Sequence, residues 1–496
     1  MVLGAALLSC CSHQGIVPVS IRDTSPRQFN VRDYGARGNG RADDTQAIQT
    51  TLAAATANGG GTVFFPEGVY AIAPAEGPFY VASKVTFAGV GRESVIHVAD
   101  DAGQYNFIFG QHPGRLHDVA FRDLRIDQNP AGNRTANINP QTDAENVIQL
   151  YSFDGLDIEN VSFDPEPGIQ AIVAAGPNRP SGLNVTRCFF RFVRGSSSNP
   201  NYDESTVYAE AGQVRIRDNL FETASRQNAI TAIELHGGPH ADVESNIIRE
   251  FEIGMNLEES TNGYPNVPAA HFTIARNNFE RTALGVDLWS NAPRVLRAVS
   301  IHDNTFSFSQ HRLYHDFWVG IELQPGGRSK GLGGDFDGIV VDRNLFDFSL
   351  LLHQRIATEF SAAFDLAPDG LVRHFSARGN RMIDPPAIGI NVGKVQKANR
   401  SEDVTFDDDR IDGAGWDTKA PAGERAAVVF ARATMRNVHA DNDAIVAPSD
   451  ATAAYSFIVT PRRGSTNVTL RYDRVIPRHV LAHRVGKRVD TAGTVF

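Results

Sequence analysis

An asparagine two residues ahead of a large apolar side chain recurs six times along the chain, at Asn219–Phe221, Asn246–Ile248, Asn277–Phe279, Asn304–Phe306, Asn344–Phe346 and Asn380–Met382. Successive asparagines are 27, 31, 27, 40 and 36 residues apart. A strand-like run stands just before most of them, as in Val214-Arg215-Ile216, Phe272-Thr273-Ile274 and Ile339-Val340-Val341. Constant local chemistry at variable spacing describes one coil of fixed core and changing loops, stacked on itself. That is a solenoid. Stacked Asn side chains hydrogen-bond along such an axis, and stacked rings fill the core beside them. Phe163 and Phe190 extend the ring series toward the N-terminus. These residues read as scaffold.

Length then loses its usual meaning. A chain of 496 residues suggests about three domains at ~150 residues each, but a solenoid core grows linearly and needs no division. With 44 Gly, 30 Phe and 3 Trp, the composition favours short strands and turns over long helices. A formal charge of −10 argues against a nucleic-acid partner, which needs a basic face. It leaves room for a glycan, including an anionic one met by a local basic groove.

The first 27 residues read as a signal and linker. Val2 to Leu8 is an apolar run, and Leu7-Leu8-Ser9-Cys10 resembles the bacterial lipobox, whose cysteine is lipidated after cleavage. The run is shorter than the ~20 residues a spanning helix needs. The expectation is an exported bacterial protein, at the cell envelope as a lipoprotein or periplasmic or secreted, touching a membrane only through a lipid on Cys10. Cys188 is then the one cysteine left for the folded part, so no disulfide framework is available there. It stands where an earlier coil would carry an Asn and reads as a small buried hydrophobe.

A distinctive block follows, Asp33-Tyr34-Gly35-Ala36-Arg37-Gly38-Asn39-Gly40-Arg41-Ala42-Asp43-Asp44-Thr45, leading into a helical stretch with Ile48, Leu52 and Ala55 on one face. Asp43 or Asp44 is placed to cap that helix and Gly59 to Gly61 to end it. Thr62-Val63-Phe64-Phe65-Pro66-Glu67-Gly68-Val69-Tyr70 then reads as strand, turn, strand. This block resembles the N-terminal signature of the pectate lyase superfamily, DYGAxGDGxxDDTxAIQxA followed by GGGxVxFPxGxY, with Asn39 where Asp is usual. The resemblance implies an all-β fold, a single-stranded right-handed parallel β-helix with a short N-terminal capping helix. The expected layout is cap and first coils over 28–99, the β-helix over 100–455 and a C-terminal cap over 456–496. A cap shields strand edges that would otherwise invite pairing, so Asp43 and Asp44 read as structural. The superfamily includes lyases, hydrolases, epimerases and phage tailspikes, so the signature implies no single activity. The NTD, GHG and RIK set of polygalacturonases is missing, as are the calcium and arginine motifs of pectate lyases. No site residue carries over from the family.

A second repeat carries the chemistry. It reads Ala232-Ile233-Glu234-Leu235, Gly254-Met255-Asn256-Leu257, Gly285-Val286-Asp287-Leu288, Gly320-Ile321-Glu322-Leu323, Ala363-Phe364-Asp365-Leu366 and Gly389-Ile390-Asn391-Val392. Side chains alternate faces along a strand, so apolar neighbours in the core send the acid or amide outward. Coils in register would line up Glu234, Asn256, Asp287, Glu322, Asp365 and Asn391 at the ordinary strand spacing of about 4.8 Å. Like charges stacked this way repel unless a cation, a retained proton or nearby bases compensate. The strand ends add His236, Trp289 and Lys330, and a loop before Glu322 adds Arg312, Tyr314 and Trp318. Aromatic faces stack on sugars, and basic groups neutralise uronates or sulfates.

Three functions fit. In the first, a glycoside hydrolase with no cofactor, Asp287, Glu322 and Asp365 are catalytic, dividing acid and base or nucleophile roles on a glycosidic bond. Glu234, His236, Asn256, Trp289, Arg312, Tyr314, Trp318, Lys330 and Asn391 then contact the polysaccharide or oligosaccharide substrate. In the second, a polysaccharide lyase, Asp287, Glu322 and Asp365 hold Ca²⁺ for β-elimination on a uronate polymer. The third is a non-catalytic glycan-binding or tailspike-like protein. The preponderance of acids over bases along the row favours the hydrolase.

Overall fold

A computed structural model describes residues 27–133, 144–176, 180–193, 205–223, 231–238, 240–259, 270–291, 293–308, 317–325, 333–352, 360–393, 400–421, 424–431, 433–447, 455–476 and 482–496. Within these residues the chain winds as a parallel β-helix. One coil consists of the strands Phe272–Ala275, Asn278–Thr282 and Leu284–Ser290, and the next repeats it as Val295–His302, Thr305–Phe308 and Phe317–Pro325. First and second strands of the coils merge into one sheet of 28 strands, and third strands form a separate sheet of 14. Strands of successive coils pair in parallel throughout both sheets. The helix Thr45–Ala57 places Ile48, Leu52 and Ala55 in the same core as the first strands. Asp43 Oδ1, not Asp44, accepts from the Thr45 amide, at 2.9 Å. Asp44 is buried and instead accepts from the Arg37 and Gly38 amides, stapling the preceding loop.

The asparagines sit at the tight corner between first and second strands. Each is preceded by a residue in the left-handed region, such as Asp218, Ser245, Arg276, Asp303 and Arg343 with φ of 53–58°. That conformation costs a non-glycine residue about 1–2 kcal/mol, and the Asn side chains offset it. Asn277 donates from Nδ2 to Val243 O (2.9 Å) and to Asn304 Oδ1 (3.0 Å), and from its backbone N to the same Oδ1 (2.8 Å). Asn219, Asn246, Asn304 and Asn344 repeat this pattern. The ladder is longer than six rungs. Cys188 occupies its N-terminal position, donating its amide to Asn219 Oδ1, and burial pushes its thiol up to about 12. Beyond Asn380 the rungs become Asp409, Asp443 and Asp473.

Beside the ladder the rings of Phe163, Phe190 and Phe221 stack face to face at 4.7 and 4.6 Å, and those of Phe279, Phe306 and Phe346 at 4.6 and 4.8 Å. This stack explains the small residue of the second repeat. A Cβ on Gly254, Gly285 or Gly320 would lie 2.4, 2.5 or 2.4 Å from the ring of Phe279, Phe306 or Phe346 in the next coil. Ala232 and Ala363 stand where the following coil offers Ile248 and Met382 instead.

Candidate active site

The repeat Glu234–Asn391 lies in the 14-strand sheet, and its register is continuous. Glu234 pairs with Asn256, Asn256 with Asp287, Asp287 with Glu322, Glu322 with Asp365, and Asp365 with Asn391. The flanking Ile233 and Leu235, Val286 and Leu288, Ile321 and Leu323, and Phe364 and Leu366 are all in the core. The polar member of each strand therefore faces outward. Outward does not mean exposed here. Asp287 and Asp365 are only 3% and 2% accessible, and Glu234 and Asn391 are buried as well. Neighbouring amides hold the acids in place. Asn391 Nδ2 donates to Asp365 Oδ1 (2.7 Å) and Gln324 Nε2 to Glu322 Oε2 (2.9 Å).

Two residues further along the strands runs a second outward row. His236 pairs with Glu258, Glu258 with Trp289, and Trp289 with Gln324. His236 Nε2 is 2.6 Å from Glu234 Oε1, its Nδ1 is 3.4 Å from Glu258 Oε2, and Asn256 Nδ2 donates to Glu258 Oε1 at 3.0 Å. Burial works against the imidazolium, but the Glu234 hydrogen bond and the charges of Glu258, Glu234 and Glu210 outweigh it, so the His236 pKa is raised. Tyr208 precedes Glu234 in the first row, its ring 5.0 Å from that of His236, and its hydroxyl bonds Glu210 at 2.7 Å. Burial, then the Glu210 charge, pushes that hydroxyl well above its ordinary range. Trp289 is half-buried and donates Nε1 to Gln324 Oε1 at 2.7 Å, which fixes its indole on this face.

Most sequence-derived site residues thus fall on one face, and one does not. Trp318 is 1% exposed and packed in the core. The period-two alternation resets at Gly320, whose Cβ direction meets the Phe346 ring, while the next residue, Ile321, also faces inward. Trp318 therefore points inward and offers no face to a sugar. Arg312, Tyr314 and Lys330 lie outside the described residues, as does Cys10. Among the described residues no helix is long and apolar enough to cross a membrane. Three side chains of the cluster were not assigned to the site from sequence: Tyr208, Glu210 and Glu258. Tyr208 sits in Ser205–Ala209, which lacks the small-apolar lead of the repeat, although its place between Val207 and Ala209 marks it as outward. Among the described residues, Glu234, His236 and Glu258 form the group of three whose ligand-type atoms lie within 4.8 Å of one another. Asp287, Glu322 and Asp365, spread over three coils, form no such group.

The model of the family "Rhamnogalacturonase A/epimerase, pectate lyase-like" matches residues 28–307, more than half of the chain. The chain belongs to this family. Among curated proteins it is 32% identical over 152 residues to alginate lyase 7 of Azotobacter vinelandii, a stretch covering 28% of this chain and 18% of that protein. Mannuronan C5-epimerase AlgE3 of the same organism is 32% identical over 155 residues, covering 28% of this chain and 8% of that one. The chain thus spans less than a fifth of either relative. Among solved structures, the tailspike protein of E. coli bacteriophage HK620 in complex with pentasaccharide superposes with a TM-score of 0.62 at 14% identity, over 94% of this chain and 78% of that one. That likeness is one of fold.

Proposed function

We propose that this family member cleaves glycosidic bonds of a polysaccharide lying along the outward face of the 14-strand sheet, with Asp287, Glu322 and Asp365 as the catalytic carboxyls. The observation that carries the reading is the unbroken register Asp287–Glu322–Asp365, outward on three successive coils, with Asp287 and Asp365 screened from water and Glu322 partly exposed between them. Low solvent access strengthens charge interactions, and stacked carboxyls disfavour full ionisation of the set. One member then keeps a proton for the leaving oxygen while an ionised neighbour serves as nucleophile or base. Adjacent coils at about 4.8 Å approach the ~5–5.5 Å of retaining hydrolases, and alternate coils approach the ~6.5–9.5 Å of inverting ones. Asn391 and Gln324 orient Asp365 and Glu322, and Trp289 supplies an aromatic wall for a sugar face.

A second reading is supported by the likeness to an alginate lyase and a mannuronan epimerase. In it the same face performs β-elimination on a uronate polymer, with Ca²⁺ bound by the row. One experiment separates the two. Purified protein is incubated with a panel of neutral and uronate polysaccharides, with and without chelator, following reducing ends and the ultraviolet absorbance of an unsaturated product. Reducing ends without that absorbance support hydrolysis, and both signals together support elimination. Asp287→Asn and Glu322→Gln each lower kcat by about 10²–10⁴-fold if these groups transfer protons. No release on any polymer, with both variants binding glycan as the parent does, would leave a glycan-binding protein and reject the enzyme.

A further inference from the structure

The cluster at the N-terminal end of the row contains the ingredients of a metal centre, and no bond-cleaving role is assigned to it. Glu234 and His236 project from the strand Thr231–His236, and Glu258 faces them from Ile253–Glu259 in register with His236. All three are buried, at 8%, 6% and 8% exposure. One ligand-type atom from each falls within 4.8 Å of the others. Glu258 Oε2 lies 3.4 Å from His236 Nδ1 and Glu234 Oε1 lies 2.6 Å from its Nε2, so the imidazole stands between the two carboxylates and offers one ring nitrogen to an ion. An independent observation comes from Asn256, which lies between Glu234 and Asp287 in the outward row. Its Nδ2 is committed to Glu258, while the Oδ1 of the same amide is sealed from solvent with no hydrogen-bond partner. Leaving a buried acceptor unsatisfied costs about 1–3 kcal/mol, and a cation at the cluster would satisfy it.

We propose that Glu234, His236 and Glu258 bind one divalent first-row transition cation, with Asn256 Oδ1 as a fourth donor. An imidazole with two carboxylates suits Zn²⁺ or Mn²⁺, whereas Ca²⁺ takes six to eight oxygens and Mg²⁺ retains its waters. The site is separate from the carboxyls assigned to bond cleavage, and its existence does not depend on that assignment.

Chelator-treated full-length protein is titrated calorimetrically with Zn²⁺ and Mn²⁺, with Ca²⁺ and Mg²⁺ in parallel and no glycan present. The expected result is one ion per chain, a transition ion binding at least tenfold more tightly than Ca²⁺. His236→Gln and Glu258→Gln each weaken binding by more than about 100-fold, since even outer-shell partners are worth 10–100-fold. Glu402→Gln, on the other sheet and paired with Arg436, leaves it unchanged. Asn256→Asp turns the fourth donor into a carboxylate and tightens binding, a gain that a misfolded variant cannot produce. Absence of saturable binding, a preference for Ca²⁺, binding that survives both His236→Gln and Glu258→Gln, or no gain in Asn256→Asp would each overturn the four-donor site.

Discussion

Replacing Asp409 by Asn tests the C-terminal half of the ladder, where carboxyls stand in amide positions. Asn380 donates its N and Nδ2 to Asp409 Oδ1 at 2.7 and 3.0 Å, and the Asp409 amide donates to Asp443 Oδ1 at 2.9 Å. Asp409 Oδ2 occupies the place of an Asn Nδ2, is buried and has no hydrogen-bond partner. In every Asn rung that atom is a donor, aimed at a backbone carbonyl and the next rung. The carboxyl can fill this role only if it keeps its proton. Burial, reinforced by the charges of Asp407 and Asp342, raises the Asp409 pKa from 3.8 to about 7. Burial likewise lifts Asp443 well above the usual range and Asp473 to about 8. An acid raised on folding contributes its full stability below the unfolded pKa and loses it as pH climbs toward the folded one. For Asp409 that window runs from about 4 to about 7, and the total is about 4 kcal/mol at 1.36 kcal/mol per pH unit. Asp409→Asn supplies the donor permanently and removes this dependence. Urea unfolding of parent and variant should show a small stability difference at pH 4. The difference should grow in the variant's favour by about 1.4 kcal/mol per pH unit, reaching about 4 kcal/mol near pH 7. A difference that does not change with pH, or a variant less stable than the parent at pH 8, would refute a protonated rung.

Two further substitutions test the scaffold. Asn304→Ala removes donors to Ile274 O and Asn344 Oδ1, strands the buried N of Asn277 and leaves its Nδ2 with Val243 O alone. With Asn277 N and Ile274 O losing their partners at about 1–3 kcal/mol per orphaned group, the expected loss is at least about 2 kcal/mol in chemical unfolding, and a loss below about 1 kcal/mol would contradict it. Gly285→Ala drives a Cβ to within 2.5 Å of Phe306 Cδ1 and of Gly320 O, an overpacking expected to cost about 1–3 kcal/mol. Pairing it with Phe306→Ile, which imitates the Ala232 and Ile248 combination, should recover part of that loss in thermal melts. Failure of the second change to help would separate the glycine from the ring stack.

The outward row could be placed from sequence because it needs only two regularities, strand alternation and coil register, and both hold from Glu234 to Asn391. Trp318 reads from sequence as part of the loop before Glu322, whereas it lies in the strand Phe317–Pro325 with its side chain in the core. The end of the ladder is also legible in the sequence. Asp409–Ile411, Asp443–Ile445 and Asp473–Val475 repeat the spacing of Asn380–Met382 with a carboxyl in place of the carboxamide. What local pattern could not supply is depth of burial. Glu234, His236 and Asp287 read as solvent-facing because they point away from the core, yet each is under 10% accessible. That property arises from how separate coils stack on one another, which no single coil encodes.

The amide ladder also has a direction. Each rung from Asn219 to Asn380 donates toward the C-terminal neighbour and accepts from the N-terminal one. A duplicated or deleted coil inside this stretch would therefore meet compatible partners on both sides, and the fold can change length there without redesign. The two ends are not interchangeable with the middle. Cys188 begins the series without a carboxamide, and at the other end Thr494 Oγ1 reaches Asp473 Oδ2 at 3.4 Å. Growth of such a molecule is expected by insertion between existing rungs, with its two terminal fittings kept in place.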